Sequence, residues 1–265
     1  MDYQTLTQEV VKIAEIAGDF IMKYFHKTID ADIRFKDKND LVSFVDIQTE
    51  HLIIEKLEKL IPGSLFLAEE SSVTKQVEKD KFYWIIDPLD GTTNFLHSIP
   101  VFCVSIALWK NDEFYSGVVY DPVRKECFYS FQGGKSYLND QLIYVSENNI
   151  LANAMIATGF PYKLFEKLPD YMDILSHFLK NSRGVRRLGS AAIDLVYTAC
   201  GRFDAFYEYN LNPWDVAAGA FIVQNAGGKV TDFNGGNSFL FGDSILASCS
   251  GIYKEVQQII QTRFY

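Results

Sequence analysis

Apolar and polar positions alternate with two different rhythms along the chain. Val10, Ile13, Ala14, Ala17, Phe20, Ile21 and Tyr24 recur at helical spacing, which predicts an amphipathic helix over residues 5–25. Thr5 and Gln8 stand at the spacing of a capping box at its start. Ile53, Leu57 and Leu60 mark one face of a second helix, Ile47 to Leu60, which Pro62-Gly63 closes and before which Asp46 sits as an N-cap. Between the two, Asp30 to Asp40 is charged and reads as a loop or hairpin that turns at Asp37-Lys38-Asn39-Asp40. Strands follow: Leu65-Phe66-Leu67, the apolar run Phe82–Ile86, then Val101–Trp109, Phe114–Tyr120 and Cys127–Phe131, with turns at Lys110-Asn111-Asp112 and Asp121-Pro122. Lys75 to Lys81 is a surface connection, and Gly133-Gly134 is a turn.

The rhythm changes across the polar segment 139–150. Strands Ala154–Thr158, Ala205–Glu208, Lys229–Asp232 and Ile245–Ser248 then alternate with helices. The helices are Leu164–Lys180, one from Gly189-Ser190-Ala191-Ala192 to about Cys200, Trp214–Asn225 before Gly227-Gly228, and Tyr253–Arg263. The pattern is α/β (α+β). Residues 1–140 give helices plus an antiparallel sheet, and residues 141–265 give a mixed or parallel sheet covered by helices, the two halves forming one compact unit.

Composition narrows the function. The chain has 265 residues, 48% of them hydrophobic, which is ample for a sizeable core. Its net charge of −9 disfavours a general polyanion binder, because nucleic-acid binding needs a concentrated basic face. An acidic protein still binds a small phosphate ester when bound cations reverse the local field. Cys103, Cys127, Cys200 and Cys249 are widely spaced among apolar neighbours, as free buried thiols are, and form no zinc pattern. Met1-Asp2-Tyr3-Gln4 lacks a basic, apolar leader, and no apolar run is long enough for a bilayer. The expectation is a cytoplasmic protein with neither a nucleic-acid nor a membrane partner.

Chemistry concentrates at Trp84-Ile85-Ile86-Asp87-Pro88-Leu89-Asp90-Gly91-Thr92-Thr93-Asn94. Proline ends the strand ladder at Asp87-Pro88, so two carboxylates flank a tight turn at the end of a buried strand. Hard divalent cations take carboxylate, carbonyl and water oxygens, and this turn offers all three. A helical turn entered at Gly91 would aim free N–H groups at the same spot, a seat for phosphate. Cations beside a phosphate seat spell metal-assisted phosphoryl transfer or hydrolysis. Asp-Pro and Asp-Gly are also ordinary turn dipeptides; the full run differs because every position has a use in one site. Glu69-Glu70 leaves another apolar strand, and side-chain alternation lets only one of the pair face the Asp87 turn.

This run resembles the signature of the inositol monophosphatase family, of the lithium-sensitive, magnesium-dependent sugar-phosphatase superfamily. Three further stretches match in order: Asp40-Leu41-Val42-Ser43-Phe44-Val45-Asp46, Ala68-Glu69-Glu70-Ser71 and Pro213-Trp214-Asp215-Val216-Ala217-Ala218-Gly219. The resemblance covers nearly the whole chain. It implies a layered α-β-α-β-α fold with the site where the two halves meet, a mobile lid near residues 30–40, and a homodimer. It also implies two to three Mg2+ ions held by Glu69, Asp87, Asp90, Asp215 and the Leu89 carbonyl. Trp-Asp at a helix start is otherwise an N-cap; the motif raises Asp215 above that reading. The implied reaction is phosphate monoester hydrolysis without a covalent phosphoenzyme. Glu69 serves catalysis through the metals, and Thr92, its hydroxyl oriented by Asp46, helps deprotonate the attacking water. Leu89, Asp90, Gly91, Thr92 and Thr93 would meet the phosphate end, and Gly189, Ser190, Ala191 and Glu208 the leaving group.

Gly159-Phe160-Pro161 and Arg186-Arg187-Leu188-Gly189-Ser190-Ala191-Ala192 look more like the bacterial and archaeal branch. Arg186 and Arg187 read as a surface or interface pair, or, through Arg187, as recognition of a second phosphate. Inositol monophosphate is the expected substrate, with NADP or fructose 1,6-bisphosphate as the alternative. A haloacid-dehalogenase-type phosphatase needs its two aspartates two residues apart; here they are three apart across a proline. A non-catalytic, metal-stabilised regulatory or binding protein is the reading from another class.

Overall fold

The computed structural model describes residues 2–26, 33–37, 40–71, 77–160 and 166–265. Its helices are α1 (Tyr3–Met22), α2 (Phe44–Leu60), α3 (Thr92–Leu96), α4 (Leu168–Asn181), α5 (Ala191–Ala199), α6 (Pro213–Asn225) and α7 (Tyr253–Phe264). Strands β1 (Ile33–Asp37) and β2 (Asp40–Ser43) pair as an antiparallel hairpin. Seven strands, β3 (Leu65–Ala68), β4 (Tyr83–Asp90), β5 (Cys103–Lys110), β6 (Glu113–Asp121), β7 (Glu126–Phe131), β8 (Ser136–Leu138) and β9 (Gln141–Leu142), form one sheet in sequence order. The second sheet has five strands in the order β11 (Gly184–Arg186), β10 (Met155–Thr158), β12 (Ala205–Tyr209), β14 (Ser244–Ser248), β13 (Lys229–Thr231).

Side-chain parity explains the layering, because successive strand residues point to opposite faces. Trp84 and Ile86 of β4 pack with Val10, Ile13 and Ala17 of α1 and with Ile53 and Leu57 of α2. Tyr83 and Ile85, on the other face, join Leu195 and Val196 of α5, Ala217 and Ile222 of α6, and Phe206 of β12 in a middle core. Ala205 and Tyr207 of β12 face away from that core, toward Ile174 and Phe178 of α4 and Val256 and Ile260 of α7. Helices therefore cover the outer faces of both sheets and fill the space between them. With both faces buried, the strands read as continuous apolar runs rather than alternating ones.

Several boundaries differ from expectation. α1 starts at Tyr3 because Asp2, not Thr5, is its N-cap: the Asp2 carboxylate accepts the Gln4 N–H at 3.1 Å and the Thr5 hydroxyl. α2 starts at Phe44, so Asp46 lies inside its first turn rather than before it. The first sheet is not wholly antiparallel, since β3 pairs parallel to β4. The second is mixed: β10 is parallel to β11 and β12, and β14 antiparallel to β12 and β13. Strands β8, β9 and β11 are too short for a periodic signal. Residues 27–32, 38–39, 72–76 and 161–165 lie outside the described residues, and with them part of the expected lid, part of the Lys75–Lys81 connection, and the Leu164 start of α4. The four cysteines are free thiols, and no described helix is long and apolar enough to cross a membrane.

Candidate active site

β4 does not end at proline. Asp87 pairs with Ser105 and Asp90 with Cys103, three steps on one strand against two on its neighbour. This is a bulge, the place in a ladder where a residue without an N–H is tolerated. The Leu89 N–H folds back to Asp87 Oδ1 at 3.0 Å, closing the turn. Gly91 then takes φ 97°, and a Cβ there would lie 2.9 Å from the Val101 carbonyl oxygen, so this corner needs glycine. α3 starts at the next residue, as expected, and its first N–H groups have no partner within the helix. The Thr92 hydroxyl donates to the Leu89 carbonyl at 3.0 Å, which anchors it on the turn. Thr93 is half-buried in the same turn.

Parity brings acids from three strands into the middle layer. Leu67, Ile85 and Phe206 belong to the middle core, and two residues beyond each stands Glu69, Asp87 or Glu208. The Glu69 N–H donates to the Ile86 carbonyl at 3.2 Å, one step past the last β3–β4 pair, which sets Glu69 beside Asp87. Glu70 N–H instead donates to Glu50 Oε2 at 2.8 Å. Asp215 opens α6 in a capping box, its Oδ2 accepting the Asn212 N–H at 2.6 Å. The N-cap itself is Asn212, so Asp215 sits at the third helical position and closes the capping box from there rather than capping the helix as its first residue. The Ser105 hydroxyl fastens this helix start to β5 through the Trp214 carbonyl, at 3.3 Å.

The electrostatics are those of crowded carboxylates. Glu69 is held well above the usual range by burial and then by Asp215, Asp46, Glu70 and Asp90. Asp87 is raised by burial and then by Glu69, Asp90, Asp215 and Asp46. Asp46, itself buried in the first turn of α2, therefore reaches the site through its charge. Asp90 rises to about 6 through burial, held down by bonds from the Ser190 hydroxyl (2.6 Å), the Ala192 N–H (2.7 Å) and the Cys103 thiol.

The second sheet supplies the facing wall. Ser190 caps α5, accepting the Ile193 N–H at 3.3 Å while donating to Asp90. Ala191 and Gly189 flank it, and Asn94 Nδ2 holds the approach through the Leu188 carbonyl at 2.9 Å. The Ser190 hydroxyl is thereby spent on Asp90, and it is the backbone around Gly189, Ser190 and Ala191 that was expected on the leaving-group side. Glu208 is buried on β12, and burial followed by Asp215 pushes its carboxyl up to about 8, with Arg187 opposing. The two arginines separate: Arg187 is exposed and faces the buried acids, whereas Arg186 Nη1 turns back to the Val185 carbonyl at 3.0 Å. Two site neighbours were not singled out from the sequence. Cys103 Sγ lies 3.6 Å from Ser190 Oγ, and Asp194 is buried on α5, raised by burial, Glu208 and Asp90, with Oδ1 unpartnered. An aspartate inside the apolar run Ala191–Ala199 was the available signal for the second.

The donor set is hard oxygen throughout, and its mutual repulsion is what divalent cations would relieve, so these residues fit such ions. Among the described residues, no three His, Cys, Asp or Glu side chains stand as a ready ligand shell. Asp87, Asp90 and Asp215 each spend one oxygen on a neighbouring N–H, and each carries a second. A separate recess of about 730 Å³, lined by Trp109, Phe114, Gln224 and Phe239–Gly242, lies at the other ends of β5 and α6 and has only Asp112 as a charged residue. The carboxylates, not that recess, locate the chemistry.

The model of the inositol monophosphatase family matches residues 2–263. The Nus factor SuhB of Pasteurella multocida is 39% identical over 251 residues, 95% of this chain and 94% of the relative. The inositol-1-monophosphatase of Mesorhizobium japonicum is 36% identical over 261 residues, 98% of each. Among solved structures, the extragenic suppressor protein suhB of Bartonella henselae superposes with a TM-score of 0.90 at 36% identity, over 97% of this chain and 98% of the other. The IMPase of Thermotoga maritima gives 0.86 at 32%, over 99% and 98%.

Proposed function

The chain belongs to the inositol monophosphatase family, which supports a phosphatase, and on that premise we propose a magnesium-dependent hydrolase of small phosphate monoesters, most directly inositol monophosphate. The observation that carries this reading is the meeting of Glu69, Asp87, Asp90 and Asp215 beside the start of α3. Those four carboxylates and the Leu89 carbonyl would hold two to three Mg2+ ions. Bound there, the ions would neutralise phosphate charge, make water more acidic and stabilise the leaving alkoxide.

The remaining work falls to the chain's own groups. N–H groups of Gly91, Thr92 and Thr93 would bind the phosphate oxygens at the positive end of α3. Thr92 would hold the attacking water, its hydroxyl turning from the Leu89 carbonyl toward Asp46 as the proton is passed. Glu208 and the backbone at Gly189, Ser190 and Ala191 would orient the leaving polyol. Arg187, the exposed cation on that side, would take a second phosphate where a substrate has one. A homodimer in the cytoplasm, with residues 1–140 and 141–265 as one compact unit, completes the proposal.

A second reading is favoured by the name Nus factor SuhB carried by several relatives. It is a regulatory role that keeps the fold and dispenses with hydrolysis. A substrate panel with magnesium, reported as kcat/KM on inositol 1-phosphate, fructose 1,6-bisphosphate and NADP, decides between them. Turnover led by inositol 1-phosphate is expected; no turnover on any ester would leave the regulatory reading.

A further inference from the structure

Gly159 stands one residue beyond β10, whose last residue Thr158 is opposite Tyr207 of β12. The parallel register therefore sets Gly159 beside Glu208. Its parity is that of Ala157, so a side chain at 159 would point into the middle layer. A Cβ built there would lie 2.1 Å from both carboxylate oxygens of Glu208 and 2.2 Å from its carboxyl carbon. No real Cβ tolerates such contacts, so the Glu208 carboxylate occupies the volume that any other residue would fill. Among the described residues no hydrogen bond or ion pair holds that carboxylate. Gly159 is the wall against which it packs.

Gly159 is itself clamped from behind. The Tyr171 hydroxyl, on a fully buried side chain of α4, donates to the Gly159 carbonyl at 2.9 Å. It also lies 2.8 Å from Thr158 Oγ1, which bonds the Tyr207 carbonyl at 2.9 Å. The Thr158–Gly159 backbone is thereby tied both to β12 and to the outer helix layer. Tyr171, in a helix that would otherwise only cover the sheet, sets the depth of the wall against which Glu208 lies.

We infer that Gly159 and Tyr171 are positioning residues that set selectivity for a hydroxyl-bearing leaving group, acting only through the placement of Glu208. The inference rests on the reading that Glu208 meets the leaving group. Gly159→Ala drives the carboxylate out of its place, and Tyr171→Phe loosens the wall without adding an atom.

The test is a double-mutant cycle on the full-length protein with magnesium. Phosphate release is measured from inositol 1-phosphate and from p-nitrophenyl phosphate, whose leaving group has no hydroxyl to recognise. Gly159→Ala is expected to lower kcat/KM for the inositol ester at least tenfold, mainly through KM, and to lower it far more than for the aryl ester. In a Glu208→Ala background the same substitution is expected to change kcat/KM less than twofold. Gly159→Ala with Glu208→Asp, a carboxylate shorter by one methylene, should recover part of the loss. Equal factors in both backgrounds, or equal losses on both esters, would overturn the inference. If Gly159→Ala does not fold, Tyr171→Phe runs through the same cycle, with a loss of about threefold expected in the wild-type background and none without Glu208. A wild-type protein that hydrolyses the aryl ester with no preference for the inositol ester defeats the leaving-group reading itself, whatever the variants do.

Discussion

At the scale of single residues, the site combines buried acids whose ionisation burial and mutual repulsion hold back with a threonine hydroxyl on the same turn. Glu208 gives the clearest pH signature. Its folded carboxyl lies near 8 against an ordinary 4.5, chiefly through burial. Between those values the folded protein keeps a proton that the unfolded chain has released. Stability therefore falls as pH rises through that window and levels off above it. Glu208→Gln removes the effect. Urea unfolding without magnesium should find the variant more stable than wild type at pH 9, by an amount of order a few kcal/mol, and nearly equal at pH 4.5. Thr92 is tested by rate rather than stability. Thr92→Ala should lower kcat by about 10²–10⁴-fold with little change in KM, because its hydroxyl serves water activation rather than binding. A near-wild-type kcat would remove Thr92, and Asp46 with it, from the mechanism.

At the scale of elements, the joint between the two sheets is the start of α5. Ser190 caps that helix and donates to Asp90, so one hydroxyl ties the bulge of β4 to the helix that lies between the sheets. Ser190→Ala should cost about 0.5–2 kcal/mol for the cap. It should also raise the magnesium concentration needed for half-maximal activity, since Asp90 loses its 2.6 Å bond. Chemical denaturation together with a magnesium titration of activity checks both; lost stability at unchanged magnesium demand would make Ser190 a cap alone. Much of this scale could be read from the sequence. The apolar run before Asp87, the turn at Gly91 and the helix after Ser190 are local signals, and they place the elements within a few residues. The bulge is not local: Pro88 removes a donor, but only the pairing of Asp87 with Ser105 and Asp90 with Cys103 shows that the ladder resumes. For the same reason the parallel pairing of β3, which depends on what lies beside it, was out of reach.

At the scale of the molecule, the acids converge because three strands share a parity. Glu69, Asp87 and Glu208 each stand two residues past a middle-core residue, so the face that carries core packing carries the chemistry at its end. Single-strand alternation predicts that only one of Glu69 and Glu70 faces the turn. It could not foretell that β12, from the other sheet, would aim Glu208 at the same space, which depends on how the two sheets stack around α5 and α6. The crowding that results also explains a demand for cations. Asp87→Asn removes one of the charges, so the protein without metal should become more stable while losing the stabilisation that magnesium confers, about 2.7 kcal/mol at a hundredfold excess over Kd. Most directly, the account is tested by phosphate release from inositol 1-phosphate, measured for wild type and Asp87→Asn across a magnesium titration. The account predicts wild-type turnover that saturates with magnesium and a loss of more than about a hundredfold in the variant. No magnesium-dependent release by the wild type, or equal release by Asp87→Asn, would contradict it.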